Sequence, residues 1–235
     1  MPRLGGITKL STLDYPGLIS SALFTQGCNF YCPYCHNPDL VRAFGEVIDE
    51  NGVLEFLKAR RKFLDGVVLT GGEPCLAEGL GDYIKAIKGL GYQVKLDTNG
   101  SRPEVVADLL ERQLVDYVAL DLKTDPKNYP LEIGPEKATD GVWETIKVLK
   151  RLGKPHEYRT TVVSPFVNED TIVAIAQAAK GPWPLYLQPF RKERVLNKDF
   201  LEKYPEQPGE EEIRAFRNLA GGYLPTIIRN DKENG

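Results

Sequence analysis

Three cysteines that lie within eight residues give the strongest chemical signal in this sequence. Cys28, Cys32 and Cys35 account for three of the four cysteines in the chain. Thiolates are soft ligands that suit iron–sulfur clusters and zinc. Three thiolates on one short loop can hold three corners of a metal site and leave the fourth open, as catalytic metal sites do. The loop therefore predicts a metal centre with one exchangeable position.

Zinc and unliganded thiols are the alternatives to an iron–sulfur site. Zinc would need His36 as its fourth ligand, and adjacent residues such as Cys35 and His36 do not easily converge on one tetrahedral ion. Clustered cysteines in a chain without a leader segment indicate metal binding in a reducing cytoplasm rather than disulfides. The net charge is −3, and no basic block or long apolar run is present. We therefore expect neither nucleic-acid nor membrane binding.

Polar motifs follow several predicted strands at the point where each strand ends. The segment Gly71–Glu73 follows one strand directly, and its glycines would let the backbone approach a ligand closely. Asp97–Thr98 ends the next predicted strand, and Asp121–Lys123 ends the one after it. In an α/β barrel, polar residues at the carboxyl ends of the strands face the active site. These motifs and the cysteine loop are therefore expected to share one site.

The elements that would position these residues alternate between strands and helices. Strands are predicted at Ile19–Thr25, Gly66–Thr70, Gln93–Asp97, Tyr117–Asp121, Glu157–Val163 and Leu185–Gln188. Helices are predicted at Glu50–Lys62, Leu80–Leu90, Pro103–Gln113, Val142–Leu152, Glu169–Ala179 and Glu210–Leu219. Continuous apolar strands are typical of a parallel sheet buried on both faces. Six strand–helix units predict an α/β fold, a partial (β/α)6 barrel whose parallel sheet is open on one side.

The remaining segments complete a single predicted domain over residues 1–235. Its core spans about residues 17–191, and residues 191–235 form a C-terminal loop, helix and tail. Gly5–Asp14 is expected to form a short β element that covers the end of the barrel. Asp125–Lys137 and Arg191–Gly209 are expected to be loops because they are rich in proline or charge. Ser101 is a candidate cap for the helix at Pro103.

The motifs together resemble those of the radical S-adenosylmethionine (SAM) superfamily. The resemblance rests on the spacing of the three cysteines, on Gly71-Gly72-Glu73-Pro74, on Asp97-Thr98-Asn99-Gly100 and on Asp121-Leu122-Lys123. Within that superfamily, Asp14-Tyr15-Pro16-Gly17 and Cys35-His36-Asn37-Pro38 resemble the activating enzymes of glycyl radical enzymes, and most of all those of anaerobic ribonucleoside-triphosphate reductase.

This resemblance implies two cofactors and a set of residues that hold them. One [4Fe–4S] cluster would be bound by Cys28, Cys32 and Cys35, with SAM on the fourth iron and Cys75 uninvolved. Lys123 would pair with the SAM carboxylate. Arg191 stands where the family carries a histidine. The residues that the resemblance places near SAM are Tyr34, His36, Gly71, Gly72, Glu73, Asp97, Thr98, Asp121, Leu122, Lys123 and Arg191.

The function implied by the resemblance is radical initiation. Reductive cleavage of SAM would give a 5′-deoxyadenosyl radical, which removes a hydrogen atom from a glycine Cα of a large partner enzyme. A flavodoxin or ferredoxin type protein would donate the electron. The alternatives are an activase of another glycyl radical enzyme such as pyruvate formate-lyase, a radical SAM enzyme acting on a small molecule (similar to 7-carboxy-7-deazaguanine synthase), and a non-catalytic metal-binding module.

Overall fold

One sheet of eight strands, paired in chain order, runs through the molecule. The computed structural model describes residues 1–229. The strands are β1 (Leu4–Ser11), β2 (Ser20–Thr25), β3 (Gly66–Gly71), β4 (Gln93–Thr98), β5 (Tyr117–Asp121), β6 (His156–Val162), β7 (Leu185–Pro189) and β8 (Thr226–Ile228). The β1–β2 pair is antiparallel, and every later pair is parallel.

The sheet is open, which confirms the predicted fold class. Within residues 1–229, β2 is the only strand that pairs with β1, apart from an isolated bridge between Leu4 and Ile48, and β7 is the only strand that pairs with β8, so the first and last strands do not close a barrel. The strand count differs from the prediction. Three-residue β8 is too short to give a sequence pattern. The β element expected at Gly5–Asp14 is present as β1, but it does not cover the barrel end: it pairs along the edge of β2, where it satisfies backbone groups that would otherwise be unpaired.

Helices connect the parallel strands. They are α1 (Pro38–Val41), α2 (Glu50–Arg60), α3 (Leu80–Gly89), α4 (Pro103–Glu111), α5 (Glu136–Leu152), α6 (Glu169–Ala179), α7 (Asp199–Lys203) and α8 (Glu210–Gly221). Each predicted helix is present. The short helix α7 lies inside the segment that was predicted to be a loop.

Helix α5 begins six residues before the predicted Val142, and Gly141 explains the difference. A glycine within a helix lowers its predicted helicity, yet here it permits close packing. A Cβ at Gly141 would lie 2.6 Å from the carbonyl oxygen of Ser101. The prediction that Ser101 caps helix α4 was also wrong. The N-cap residue is Arg102, and the Ser101 hydroxyl bonds to Asn29 instead.

Apolar side chains bury both faces of the central strands. Val67, Val68 and Leu69 of β3 are fully buried. On the inner face, Tyr15 from the β1–β2 connection packs against Ala22 and Val68 and fills the space below the strand ends. No helix within residues 1–229 is long and apolar enough to cross a lipid bilayer.

Candidate functional site

A cavity of about 320 Å3 lies at the carboxyl ends of β2 to β7. That volume falls within the usual range for small-molecule sites. The lining residues come from the cysteine loop, from the strand ends and from the β1–β2 connection: Asp14, Phe24, Cys28, Phe30, Cys32, Tyr34, Cys35, His36, Asn37, Val41, Thr70, Gly71, Gly72, Asp97, Thr98, Asn99, Asp121, Lys123, Arg159, Thr161 and Gln188. The cysteine loop and the strand-end motifs therefore meet in one place, as expected.

All three cysteines of the loop line this cavity as free thiols. The turn is fixed by a hydrogen bond from the Cys35 amide to the Cys32 carbonyl at 2.9 Å. Burial raises the pKa of the Cys28 thiol to about 11 and that of Cys32 to about 12. These two thiols therefore stay protonated near neutral pH until a cation replaces their protons, as metal ligation requires.

Within residues 1–229, no three or more His, Cys, Asp or Glu side chains converge as ligands of a single metal ion. A cluster does not need that convergence, because each thiolate binds a different iron. The fourth cysteine, Cys75, is buried outside the cavity, and its Sγ lies 3.6 Å from the Thr98 hydroxyl.

The glycine pair after β3 lets two backbone segments approach each other. A Cβ at Gly72 would lie 2.1 Å from the carbonyl oxygen of Gly27, and Gly71 has a φ of +113°. The Gly72 amide donates to the Thr25 carbonyl at 2.9 Å, and the Glu73 amide donates to the Gly27 carbonyl at 2.8 Å. These glycines therefore anchor the chain that leads into Cys28 while they line the cavity.

Three of the expected SAM residues do not line the cavity. Glu73 is buried behind it and accepts hydrogen bonds from the Cys75 amide (2.9 Å), the Thr98 hydroxyl (2.8 Å) and the Asn99 amide (2.6 Å). Leu122 is fully buried in the core. The Arg191 side chain is 55% exposed, and its guanidinium lies 4.0 Å from Glu193. The carboxylate of Glu73 thus joins the end of β3 to the end of β4.

Charged side chains from β4, β5 and β6 form a continuous network at the cavity floor. The Arg159 guanidinium contacts Asp121 at 2.7 Å and Asp97 at 3.0 Å. The Lys95 ammonium lies 2.6 Å from Asp97, and the Lys123 ammonium lies 3.1 Å from Asp121. Burial opposes ionisation of both aspartates, but the neighbouring cations outweigh it and hold the pKa of each below its usual value.

Sequence reasoning missed two members of this network. Lys95 is 1% exposed, and Glu157 is fully buried with its carboxylate 3.8 Å from the Lys95 ammonium. The sequence did contain a signal for Lys95. Alternate residues of a strand share a face, so Lys95 points to the same side of the sheet as Asp97. Burial opposes protonation of Lys123, but Asp121 outweighs it and raises the pKa of the ammonium.

Aromatic side chains surround the cysteine loop. His36 stacks on Phe190 with ring centroids 5.4 Å apart, and its Nε2 lies 2.9 Å from the Arg191 carbonyl oxygen. Tyr34 is buried against Phe166 at 5.5 Å. Within residues 1–229, the Tyr34 hydroxyl has no hydrogen-bond partner although it is buried. An unsatisfied buried hydroxyl beside a cavity is suited to a polar ligand.

These residues fit the cofactors that the sequence resemblance implies. Cys28, Cys32 and Cys35 would supply the soft donor set for three irons of a [4Fe–4S] cluster. The Lys123 ammonium and the Tyr34 hydroxyl would supply polar groups for a charged ligand such as SAM.

Comparison with known proteins identifies the family. A model described as the radical SAM superfamily matches residues 22–179. The "Putative glycyl-radical enzyme activating enzyme" of Methanocaldococcus jannaschii is 33% identical over 233 residues, which cover 96% of this chain and 94% of the relative. The pyruvate formate-lyase-activating enzyme of Clostridium pasteurianum is 32% identical over 189 residues, with 77% of each chain covered.

Solved structures share the fold at low sequence identity. A radical SAM methyltransferase from Sphaerobacter thermophilus has a TM-score of 0.65 at 16% identity, over 94% of this chain and 68% of that one. SuiB from Streptococcus suis, bound to S-adenosylmethionine, has a TM-score of 0.63 at 15% identity, over 86% of this chain. The match covers 48% of the SuiB chain. Motifs, fold and family model agree: this chain belongs to the radical SAM superfamily, whose members use a [4Fe–4S] cluster and SAM.

Proposed function

We propose that this radical SAM enzyme generates a glycyl radical on a partner enzyme, anaerobic ribonucleoside-triphosphate reductase in particular. The observation that carries the proposal is the similarity to a relative named as a glycyl-radical enzyme activating enzyme. The match covers 94% of the length of that relative. Pyruvate formate-lyase is the other candidate partner, because a second relative bears the name of its activating enzyme. The reductase is preferred because Asp14–Gly17 and Cys35–Pro38 resemble segments of its activating proteins.

When bound, the [4Fe–4S] cluster and SAM would supply the electron transfer and the radical chemistry that removes a hydrogen atom from the substrate. This chain's own residues bind and orient. The thiols of the cysteine loop would hold the iron, and Lys123 would attract the SAM carboxylate. Arg159 fixes Asp97 and Asp121 before a ligand arrives, so less conformational freedom is lost on binding.

The open side of the sheet favours the hypothesis that the substrate is a protein. Asp14, which belongs to the activase-like segment, lines the same cavity as the three cysteines. A peptide loop from a partner could enter between the edge strands β1 and β8 and reach that cavity. We assign residues 1–235 to one radical SAM domain that works in a reducing cytoplasm, with a flavodoxin or ferredoxin type protein as the electron donor.

A small-molecule substrate is the second candidate, and a second cavity favours it. This cavity, of about 560 Å3, lies beside the cysteine loop and is lined by Tyr31, Pro33, Phe166, Phe200 and other residues. Its mixture of aromatic and polar groups is typical of small-molecule sites. Under this alternative, Asp14 would have no role in recognising a protein.

Anaerobic mixing of the reconstituted enzyme with SAM, a reductant and each candidate glycyl radical enzyme tests the proposal. We expect the doublet EPR signal of a glycyl radical on the reductase. Omission of SAM is the control and should abolish the signal. A radical that forms on pyruvate formate-lyase alone would show that this enzyme, and not the reductase, is the partner. Absence of a radical on either protein, with efficient turnover of a free small molecule, would contradict the activase proposal.

A further inference from the structure

Three polar side chains form a closed network beside Cys28 that the proposed mechanism does not use. Asn29 follows Cys28 directly, while Asn99 and Ser101 belong to the turn after β4. Asn99 and Ser101 are each only 6% exposed. The Asn29 amide nitrogen and the Ser101 hydroxyl are 2.9 Å apart, and that hydroxyl also lies 3.2 Å from the Asn29 amide oxygen. Side chains buried in such a network are held in one orientation.

The orientation of the Asn99 amide follows from its partners. Its Oδ1 accepts a hydrogen bond from the Ser101 backbone amide at 2.9 Å. Its Nδ2 therefore faces the opposite way, where it donates to Asn29 Oδ1 at 3.0 Å and lies 3.8 Å from Cys28 Sγ. The backbone of Asn99 is fixed separately by Glu73, which accepts its N–H at 2.6 Å. The amide group is thus aimed at the sulfur from a rigid support.

We propose that the side-chain amide of Asn99 is a hydrogen-bond donor to the cluster through Cys28 Sγ and raises the reduction potential of the cluster. Hydrogen bonds to the sulfurs of a cluster are among the factors that set its potential. Reduction adds one negative charge to the cluster, and a donor N–H stabilises the more negative state. The Phe30 backbone amide, 3.4 Å from the same sulfur, is a second donor that no side-chain substitution removes.

Asn99 is in this respect a positioning and tuning residue. The proposal rests on the assignment of Cys28 as a cluster ligand, which the proposed function shares, but it does not depend on which partner the enzyme activates. Its test therefore uses the reconstituted enzyme alone, without SAM or a glycyl radical enzyme. Failure to activate a partner would leave the measurement unaffected.

The test is an EPR-monitored redox titration of Asn99→Leu and Asn99→Asp. Asn99→Leu removes the donor and keeps the number and branching of the side-chain heavy atoms. Asn99→Asp also removes it, while it keeps an oxygen for the Ser101 amide and so protects the turn. Both variants should be harder to reduce, by at least threefold in the one-electron equilibrium constant, or about 28 mV at 59 mV per tenfold change. Cys75→Ala is the matched control: it alters a buried neighbour of Thr98 without touching Cys28, and its potential should equal that of the wild type.

A second readout separates hydrogen bonding from a general change in polarity. ENDOR spectra of the reduced cluster before and after exchange into D2O count the exchangeable protons coupled to it. The wild type and Cys75→Ala should show one more coupled proton than the two Asn99 variants. An unchanged potential or an unchanged proton count in the Asn99 variants would overturn the proposal. An equal shift in Cys75→Ala would overturn it too, because the shift would then come from loosened packing.

Discussion

At the scale of single residues, the site is arranged by charges that hold one another. Arg159 bridges Asp97 and Asp121, and each aspartate has a lysine as its second partner. A buried charge is costly unless it is paired, so these side chains constrain one another before a ligand binds. Lys123 is 18% exposed and lines the cavity, which leaves its ammonium accessible to a further anion.

The ligand assignment predicts different outcomes for two cysteines. Cys35→Ala should lower the iron content of anaerobically reconstituted protein, because it removes a thiolate that lines the cavity. Cys75→Ala should keep the full iron content and the EPR signal of the reduced cluster, because its thiol lies outside the cavity. Iron assay and EPR are the measurements. Loss of the cluster from Cys75→Ala with retention in Cys35→Ala would show that the assignment is wrong.

Lys123→Ala should weaken SAM binding. A hydrogen bond to a charged group contributes about 1.5–3 kcal/mol, so the dissociation constant should rise about 10- to 150-fold. Lys147→Ala, on the exposed side of α5, is the matched control and should bind SAM like the wild type. Calorimetry with the cluster-loaded protein measures both. An affinity that Lys123→Ala leaves unchanged would remove this ammonium from the SAM site.

At the scale of elements, the end of β3 supports the cysteine loop, and Gly72 makes that contact possible. Gly72→Ala would place a Cβ against the Gly27 backbone and force the two segments apart. We expect it to lower the free energy of unfolding by about 1–3 kcal/mol and to reduce cluster loading. Gly89→Ala is the control, because no atom lies within 4 Å of its added Cβ. Denaturant unfolding and an iron assay are the measurements. Equal unfolding free energies and equal iron contents in the two variants would contradict the prediction.

The ion pairs that join β4, β5 and β6 predict a dependence of stability on pH. Burial raises the pKa of Asp121, but Arg159 and Lys123 outweigh it, so the folded-state pKa lies below the unfolded value of about 3.9. The stabilisation is therefore complete above the unfolded pKa and is lost as the pH falls through the folded one.

Asp121→Asn should remove part of that pH dependence. We expect the free energy of unfolding of the cluster-free variant to fall less steeply than that of the wild type below about pH 4. Asp140→Asn, an exposed substitution on α5, should follow the wild-type curve. Urea titrations at a series of pH values give the comparison. Parallel curves for Asp121→Asn and the wild type would show that Asp121 does not contribute to the pH dependence of stability.

An element of the fold could be predicted only where its own residues form a recognisable sequence pattern. The continuous apolar run Tyr117–Leu120, followed by Asp121, gave β5 at its observed bounds, whereas β8 has only three residues and no pattern. The cysteine loop was readable because its spacing is local. The position of Glu73 behind the cavity was not, because it depends on how the ends of β3 and β4 meet. Strand alternation could have placed Lys95 beside Asp97, but Glu157 lies on another strand, and its sequence does not reveal that Lys95 is its partner.

At the scale of the whole molecule, the open side of the sheet is the entrance that we propose for a partner loop. Within residues 1–229, β1 and β8 each lack a second neighbouring strand. The connection that follows β1 turns inward, so that Tyr15 is buried while Asp14 stays exposed and reaches the cavity. One segment therefore both fills the lower part of the sheet and presents a carboxylate where a partner loop would enter. This division of roles predicts that binding of the partner and cleavage of SAM can be separated by mutation.

Asp14→Ala should lower the yield of glycyl radical on the partner while SAM cleavage without the partner stays as in the wild type. The ion pairs of Arg159 and Lys123 are with Asp97 and Asp121 rather than with Asp14, so removal of the Asp14 carboxylate leaves that network intact. We expect the partner concentration at half-maximal activation to rise about 3- to 10-fold, the effect of losing one exposed or half-buried hydrogen bond of about 0.5–1.5 kcal/mol. Glu55→Ala, which removes an exposed carboxylate on α2, is the control.

The two measurements are the radical yield by EPR and the amount of 5′-deoxyadenosine by chromatography. If both fell together in Asp14→Ala, the residue would belong to the SAM site instead, and the entrance would have to lie elsewhere along the open edge.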